Sequence, residues 1–262
     1  MPVPERLKPT FVSQHPQEPE PSAGRKLEAR KRLIVALDVS GAEAAEELVK
    51  RLEGTCQWLK VGLELFIGAG PAVVEKLAAR GHSVFLDLKF HDIPHTVAGA
   101  VRVAAALGAR MMTVHAAGGP TMLAAARAAL EGVTDPPQLL AVTVLTSMDV
   151  EQLHAAGVGR SPAAQVELLA RMAWEAGIRG LVCSPRELTA VRTLTGPEAV
   201  LVVPGIRPAG FEAGDQKRLA TPGDALRAGA SYLVVGRPIT QAPDPAKAVE
   251  AIVKEMAEAL AL

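Results

Sequence analysis

The densest group of ionisable side chains in this sequence lies in residues 84–96, Val-Phe-Leu-Asp-Leu-Lys-Phe-His-Asp-Ile-Pro-His-Thr. Asp87, Lys89 and Asp92 follow a short apolar run within it. In an extended chain alternate side chains share a face, which places Asp87 and Lys89 on the same side. An ion pair on the surface would be functionally silent, whereas charges on an inward face need a partner or a chemical task. We therefore interpret the stretch as a candidate catalytic site built on ionisable groups.

The elements that position this site follow from the apolar pattern. Pro94 cannot continue a central strand, and residues 96–107 have a helical pattern, so the charges fall between a strand and a helix. The same alternation of short apolar runs and helical stretches continues along the chain from Arg32. The predicted strands are residues 33–37, 58–61, 84–88, 111–115, 139–145, 181–183, 200–203 and 232–235.

Eight strand-helix units with nearly continuous apolar strands predict a parallel sheet covered by helices. A closed (β/α)8 TIM barrel of α/β class is the simplest arrangement, and a doubly wound open sheet is the alternative. The open sheet usually carries a glycine-rich turn after its first strand, and the sequence after residue 37 is Asp-Val-Ser-Gly-Ala instead. We expect one barrel domain over residues 32–262 and a poorly ordered extension over residues 1–28, which is rich in Pro, Glu and Lys.

Composition restricts the partners of such a domain. Lys plus Arg and Asp plus Glu are equal at 28 each among 262 residues, so no net charge favours nucleic acid or an acidic membrane surface. No apolar run is long enough to span a bilayer. The two cysteines, Cys56 and Cys183, are too few for a disulfide framework and fit a reducing compartment. We expect a cytoplasmic protein that acts on a small molecule.

Polar residues lie where a barrel places its active site, at the carboxyl-terminal ends of the strands. At or near these ends lie Asp38, Lys60, Asp87, Lys89 and Thr146. The loops after strands seven and eight form the recurrent phosphate site of this fold, and here they contain Gly205, Arg207, Gly236 and Arg237. Glycine lets a phosphate approach backbone N–H groups, and arginine offers a planar fork of donors. The sequence therefore predicts a phosphorylated substrate.

These motifs resemble a known family. Residues 86–96 are similar to the D-x-K-x-x-D-I-P-x-T signature of orotidine 5′-phosphate decarboxylase, the enzyme that makes UMP. The resemblance extends in family order from about residue 32 to the end of the chain. It includes Ala-Leu-Asp at 36–38, Lys-Val-Gly at 60–62, Leu-Thr-Ser at 145–147, Pro-Gly-Ile-Arg-Pro at 204–208, Asp-Gln-Lys-Arg at 215–218 and Val-Gly-Arg-Pro at 235–238.

The resemblance implies catalytic roles for four charged residues. Lys89 would protonate ring carbon 6, and Asp87 would face the substrate carboxylate. Lys60 and Asp92 would complete a charged tetrad. Asp92 would come from the other subunit of a homodimer, together with Ile93 and Thr96.

The resemblance also implies the substrate contacts. Asp38 would hold the ribose with Lys60, and Thr146 would contact the base region. The phosphate ligands would be Arg207, Gln216, Gly236 and Arg237, as the loop after strand seven closes. No metal or cofactor is implied, and His91 occupies a variable position of the signature to which we assign no role.

Three alternatives remain at this point. Metal-dependent sugar-phosphate decarboxylases or synthases share the D-x-K-x-x-D framework but carry a glutamate ligand where this chain has Lys60, and a lysine repels a divalent cation. A sugar-phosphate epimerase would need metal-binding histidines at strand ends, where His115 stands nearly alone. A catalytically silent phosphate-binding barrel would keep the arginines and lose the tetrad.

Overall fold

The computed structural model describes residues 21–52, 54–208 and 219–261 of the chain. All eight predicted strands form within these residues. They are β1 (Leu33–Ala36), β2 (Trp58–Gly62), β3 (Ser83–Phe90), β4 (Met111–His115), β5 (Gln138–Val142), β6 (Gly180–Val182), β7 (Val200–Val203) and β8 (Tyr232–Val235).

Helices connect and surround the strands. In the described part of the chain they are α1 (Ala23–Arg32), α2 (Ala42–Arg51), α3 (Leu63–Ala69), α4 (Ala72–Ala79), α5 (Pro94–Ala106), α6 (Gly119–Ala128), α7 (Val150–Ala155), α8 (Pro162–Glu175), α9 (Leu188–Thr195), α10 (Pro222–Arg227), α11 (Arg237–Thr240) and α12 (Pro245–Ala259).

The strands form a closed parallel barrel. Each strand pairs with the next along the chain, and β8 pairs with β1, where Ile34 lies opposite Val234. Strands buried on both faces read as continuous apolar runs, which explains why β1 consists of Leu-Ile-Val-Ala with every residue buried. The closure confirms the predicted (β/α)8 barrel and excludes the doubly wound open sheet.

Successive residues of each strand face opposite sides of the barrel wall. On β1, Leu33 and Val35 pack outward against the helices, whereas Ile34 and Ala36 pack inward. The inward cluster fills the barrel interior and comprises Ile34, Ala36, Phe85, Met111, Leu140, Val202 and Val234. Because side chains alternate between the two faces of the wall, the same spacing of two residues determines which side chains at the carboxyl-terminal strand ends point towards the barrel axis.

The predicted N-terminal extension is wrong at its inner end, because residues 23–28 belong to helix α1. The hydroxyl of Ser22 caps the helix by accepting a hydrogen bond from Arg25 N. Ala29 is fully buried, and α1 packs against α12, with an ion pair from Arg30 to Glu250. The charged segment has little apolar periodicity, so tertiary packing rather than local pattern stabilises this helix. Residues 1–20 of the expected extension lie outside the described residues.

The connection between β2 and β3 contains two helices, α3 and α4, which are separated at Gly70 and Pro71. Gly70 has φ 69°, a left-handed conformation that ends α3 and favours glycine. No helix in the described residues is both long and apolar enough to cross a membrane.

Candidate functional site

Four charged side chains meet at the carboxyl-terminal ends of β1, β2 and β3. They are Asp38, Lys60, Asp87 and Lys89, called the charged cluster below. The first three continue an inward series at a spacing of two: Asp38 follows Ala36, Lys60 follows Trp58, and Asp87 follows Phe85. Parallel pairing brings these positions to the same end of the barrel, although the sequence separates them widely.

The charged cluster is linked by short contacts. Lys60 Nζ lies 2.8 Å from Asp38 Oδ1 and 3.9 Å from Asp87 Oδ2. Lys89 Nζ donates to both carboxylate oxygens of Asp87 at 3.0 Å. Asp38, Lys60, Asp87 and Lys89 thus alternate in sign, and each ammonium group is balanced by at least one carboxylate. Such alternation offsets the cost of removing the charges from water.

Lys60 is the most enclosed member, with only 8% of the residue exposed. Its ammonium group folds back over Gly62, where a Cβ would lie 2.8 Å from Lys60 Nζ and 3.5 Å from Asp38 Oδ1. A side chain at residue 62 would therefore displace the lysine. Glycine is needed there for close approach, which explains its place in the Lys-Val-Gly segment.

The strand that carries Asp87 and Lys89 is irregular. We predicted that an extended chain would place these side chains on one side, and they do meet, but Lys89 has φ 51°, outside the extended region. The register between β3 and β4 shifts between Leu86 and Phe90. The ion pair is therefore formed at a bulge in the ladder rather than along a regular strand.

Asp92, Ile93 and Thr96 lie away from the charged cluster. Asp92 Oδ1 accepts a hydrogen bond from Ile93 N at 2.6 Å, and Asp92 forms no ion pair with Lys60 or Lys89 within the described residues. Ile93 is 66% exposed, and Thr96 is exposed in the first turn of α5. A single chain therefore brings together three residues of the expected tetrad and leaves the fourth facing solvent.

A cavity of about 220 Å³, called the inner cavity, opens beside the charged cluster. Lys60, Asp87 and Lys89 form its polar wall. Most of the remaining lining is apolar, and Thr146 and Ser147 contribute the hydroxyl groups. The other lining residues are Phe85, Val142, Val144, Leu145, Val182, Cys183, Pro204 and Val234. This lining suits a small group that has apolar surface and carries a charge.

A second cavity of about 360 Å³, called the rim cavity, shares Lys60, Pro204 and Val234 with the first. Its further lining residues are Ala36, Asp38, Gly205, Arg207, Gly236, Arg237 and Gln241. The two arginines and two glycines in this lining form a suitable binding site for an anion. Because the two cavities share a wall, one elongated ligand could occupy both.

The loop after β7 begins and ends at the rim cavity. Arg207 N donates to Ala220 O at 3.0 Å, and Ile206 forms a bridge with Ala220. Gly205 has φ 77°, a turn that a side chain would strain. Gln216, the fourth expected phosphate ligand, lies outside the described residues.

The rings of His91 and His115 stack on each other near Lys89. The rings of His91 and His115 lie 5.3 Å apart at 19°, and His115 Nδ1 accepts a hydrogen bond from Ala117 N. Burial lowers the pKa of His115 below its usual value, and the nearby His91 and Lys89 add to this effect. His91, to which we assigned no role, thus packs against a histidine whose pKa is lowered.

Comparison with known proteins agrees with this geometry. The sequence profile of the orotidine 5′-phosphate decarboxylase / HUMPS family matches residues 31–252. The chain belongs to this family. The family was predicted from the motifs, and the match confirms it.

Members of the family with curated names are close to this chain. Orotidine 5′-phosphate decarboxylase of Moorella thermoacetica is 53% identical over 237 residues, which cover 88% of this chain and 94% of that protein. The protein of the same name from Anaeromyxobacter dehalogenans is 54% identical over 221 residues, covering 84% and 96%. The crystal structure of orotidine 5′-phosphate decarboxylase from Lactobacillus acidophilus is 40% identical, with a TM-score of 0.77, and the match covers 86% of this chain and 99% of that one.

The sequence analysis missed two residues of the candidate site. Thr113 on β4 contacts both Asp87 and Lys89, and Gln241 lines the rim cavity after α11. Thr113 left a signal, because it is a polar residue at an inward position within the apolar run Met-Met-Thr-Val-His. Gln241 left none, since only the turn after Arg237 brings it back to the cavity.

Proposed function

We propose that this chain is an orotidine 5′-phosphate decarboxylase, which releases carbon dioxide from its substrate and leaves UMP. The observation that carries the proposal is the position of Lys89, whose Nζ lies 3.0 Å from both Asp87 oxygens in the wall of an apolar cavity. An arginine-lined cavity adjoins it. The names of relatives about half identical to the chain support the same activity.

The reaction explains why an ammonium group is needed at this position. When the bond from carbon 6 to the carboxylate breaks, the electron pair stays on carbon 6 in an orbital in the plane of the ring, where the π system cannot accept it. An ammonium group about 4 Å away contributes roughly 4 kcal/mol of attraction at an effective dielectric constant of 20. Lys89 then transfers a proton to carbon 6 and regains one from water.

Asp87 acts in the opposite sense. Its carboxylate would lie next to the substrate carboxylate, and their repulsion is relieved as neutral carbon dioxide departs. Lys89 and Lys60 hold Asp87 in place from two sides. The two lysines thus stabilise the Asp87 carboxylate beside the substrate carboxylate in the ground state. The repulsion between the two carboxylates still favours the loss of carbon dioxide.

Substrate binding extends over both cavities. The base enters the inner cavity near Thr146, and the ribose contacts the paired side chains of Asp38 and Lys60. The phosphate binds at Arg207, Gly236 and Arg237, with Gln216 assigned from the family signature. Binding energy from a phosphate remote from carbon 6 orients the reacting groups.

The active site is completed by a second subunit in this proposal. Asp92 would be the partner's contribution to the tetrad, together with Ile93 and Thr96. Its exposure in the single chain supports this arrangement, as does an exposed side of α5 on which Val103, 65% exposed, lies seven residues after Thr96. Exposed apolar side chains beside an incomplete site indicate a contact between subunits.

The metal-dependent sugar-phosphate reaction is less suited to this geometry. A divalent cation would need carboxylates free to bind it, whereas Lys60 Nζ already lies between Asp38 and Asp87 at 2.8 and 3.9 Å. A cation there would meet the ammonium charge directly. We therefore assign a reaction that does not depend on a metal.

We place the enzyme in the cytoplasm. Cys56 and Cys183 are both buried and form no disulfide, in accord with a reducing compartment. The substrate is a small phosphorylated nucleotide, and the proposal involves neither nucleic acid nor membrane.

The test is the ultraviolet absorbance of orotidine 5′-phosphate mixed with the protein in the presence of a chelator. Rapid loss of the substrate spectrum and formation of UMP at an unchanged rate in chelator are expected. No turnover would overturn the activity. If a divalent ion were required to restore turnover, the sugar-phosphate alternative would replace it.

The shared site has its own test, by co-expression of differently tagged Lys89→Ala and Asp92→Ala chains. Each mutant homodimer should be nearly inactive. A mixed dimer has one site with both defects and one intact site, so random exchange restores roughly a quarter of wild-type activity. Tandem purification isolates the mixed dimers. If they form and stay inactive, Asp92 serves its own chain.

A further inference from the structure

The pairing between β3 and β4 is uneven at the charged cluster. Leu86 lies opposite Met112, and Phe90 lies opposite Val114. Three residues of β3, Asp87, Leu88 and Lys89, therefore face a single residue of β4, Thr113. The bulge occurs within the two positions that carry the chemistry, where a regular ladder would otherwise satisfy the backbone of β3.

The hydroxyl of Thr113 makes two hydrogen bonds across this bulge. Lys89 N donates to Thr113 Oγ1 at 2.8 Å, and Thr113 Oγ1 donates to Asp87 Oδ1 at 3.1 Å. A threonine hydroxyl has one hydrogen and two lone pairs, so it can accept one bond and donate the other at the same time. Thr113 is fully buried. Its hydroxyl is thus committed to the backbone of one catalytic residue and the side chain of the other.

The hydrogen bond to Thr113 replaces a ladder hydrogen bond that the bulge removes from the backbone of β3. A buried backbone N–H must find an acceptor, and the Lys89 N–H finds the Thr113 hydroxyl instead of a carbonyl of β4. Lys89 also has φ 51°, a left-handed conformation that is unfavourable for a residue with a Cβ and persists only where its surroundings require it. The hydrogen bond between Lys89 N and the Thr113 hydroxyl on β4 stabilises this conformation.

We propose that Thr113 is a positioning residue for the decarboxylation: its hydroxyl holds Lys89 in its left-handed conformation and aims the Asp87 carboxylate. The inference rests on the proposed function, because it concerns the geometry of the proton donor and its partner. Thr113 does not line the rim cavity, and its contacts are confined to the reacting end of the site. Its effect therefore falls on the chemical step and not on phosphate binding.

The decisive variant is Thr113→Val, which keeps the branched shape and removes the hydroxyl. A misplaced catalytic group costs up to roughly a hundredfold in rate, so kcat should fall about 10- to 100-fold. The KM for orotidine 5′-phosphate should change less than about threefold, because the rim cavity is intact. Thr113→Ser keeps the hydroxyl and should stay within about threefold of wild-type kcat.

Thr143→Val is a matched control. Thr143 is also fully buried, directly after β5, but its hydroxyl donates to the backbone carbonyl of Val182 at 2.8 Å. It should lose stability without losing kcat per folded molecule. If Thr113→Val does not fold, Thr113→Cys takes its place, since a thiol is a weak donor and acceptor and the same loss is expected.

Three results would overturn the inference while the wild-type protein remains active: an unchanged kcat in Thr113→Val, equal losses in Thr113→Val and Thr143→Val, or a Thr113→Ser variant as slow as Thr113→Val. An inactive wild-type protein overturns the proposed function itself, and this inference with it. Activity of the wild type thus separates the two failures.

Discussion

The two ends of the barrel carry charged residues in different ways. At the carboxyl-terminal end, charges from β1, β2 and β3 converge on one cavity of about 220 Å³. The amino-terminal end has a larger cavity of about 750 Å³, but Arg127, Glu131 and Arg179 in its lining are exposed. Volume alone would select the amino-terminal end. Convergence of oppositely charged groups around the buried Lys60 indicates a catalytic site better than the size of a cavity does.

Charges at the amino-terminal end hold the fold together instead. Arg192 donates to the carbonyl oxygens of Gly196, Ala199 and Gly229 at 2.9, 2.8 and 2.6 Å, so it ties the end of α9 to the segments that enter β7 and β8. Its donors are satisfied mainly by backbone carbonyls, whereas the ammonium groups of the charged cluster are paired with carboxylate side chains. Mutations at the two ends should therefore separate activity from stability.

The strongest expected effect is at the carboxyl-terminal end. Lys89→Ala should reduce kcat at least ~10³-fold, because alanine can neither protonate carbon 6 nor balance Asp87. The barrel should remain folded by circular dichroism. Lys76→Ala, at an exposed lysine of α4, is the control and should retain full activity. Residual turnover in Lys89→Ala above about 1% of wild type would contradict the assignment of the proton donor.

Arg237→Ala should produce the next largest effect. Loss of a charged hydrogen bond to phosphate should raise the KM for orotidine 5′-phosphate about 10- to 100-fold. Turnover of the unphosphorylated nucleoside should hardly change, because it has no phosphate to bind. Arg227→Ala serves as the control, since that arginine pairs with Asp224 on the surface of α10. Equal losses with both substrates would show that Arg237 acts structurally.

The amino-terminal end should respond in the opposite way. Arg192→Met keeps much of the side-chain length but leaves several backbone carbonyls without their donor, so the free energy of unfolding should fall by about 2 kcal/mol. Urea denaturation measures this change, and kcat per folded molecule should stay at the wild-type value. A large loss of kcat in fully folded Arg192→Met would remove the distinction between the two ends.

The smallest expected effect is a dependence of stability on pH. The pKa of His115 is lowered in the folded state, so the unfolded chain binds a proton first as the pH falls through about 6.5, and stability is lost from there downward. His115→Asn can still accept the bond from Ala117 N but cannot titrate. Its free energy of unfolding should fall less than that of the wild type between about pH 7.5 and 5.5.

The control for this pH dependence is His154→Asn, at an exposed histidine of α7. That variant should follow the wild-type curve. Parallel curves for the wild type and His115→Asn would instead assign the acid sensitivity to other groups.

Local pattern was sufficient for much of the fold. Strands β7 and β8 were predicted with the bounds observed, Val200–Val203 and Tyr232–Val235, because each is a short apolar run between turn signals. The charged residues of β1, β2 and β3 were predicted at the carboxyl-terminal end because parallel strands carry their ends to one side. Alternation along each strand then decides which side chains point inward.

The sequence by itself therefore determined the barrel, the family and the members of the charged cluster. Each strand and motif is a local pattern, and the parallel order of the strands brings their ends together. Tertiary structure decided the docking of α1 on α12, the bulge that gives Lys89 its φ of 51° and the bonds from Thr113. The register of β3 against β4 depends on contacts between residues more than twenty positions apart. No local propensity encodes such a contact, so only the closed barrel shows which polar residue lies opposite Asp87 and Lys89.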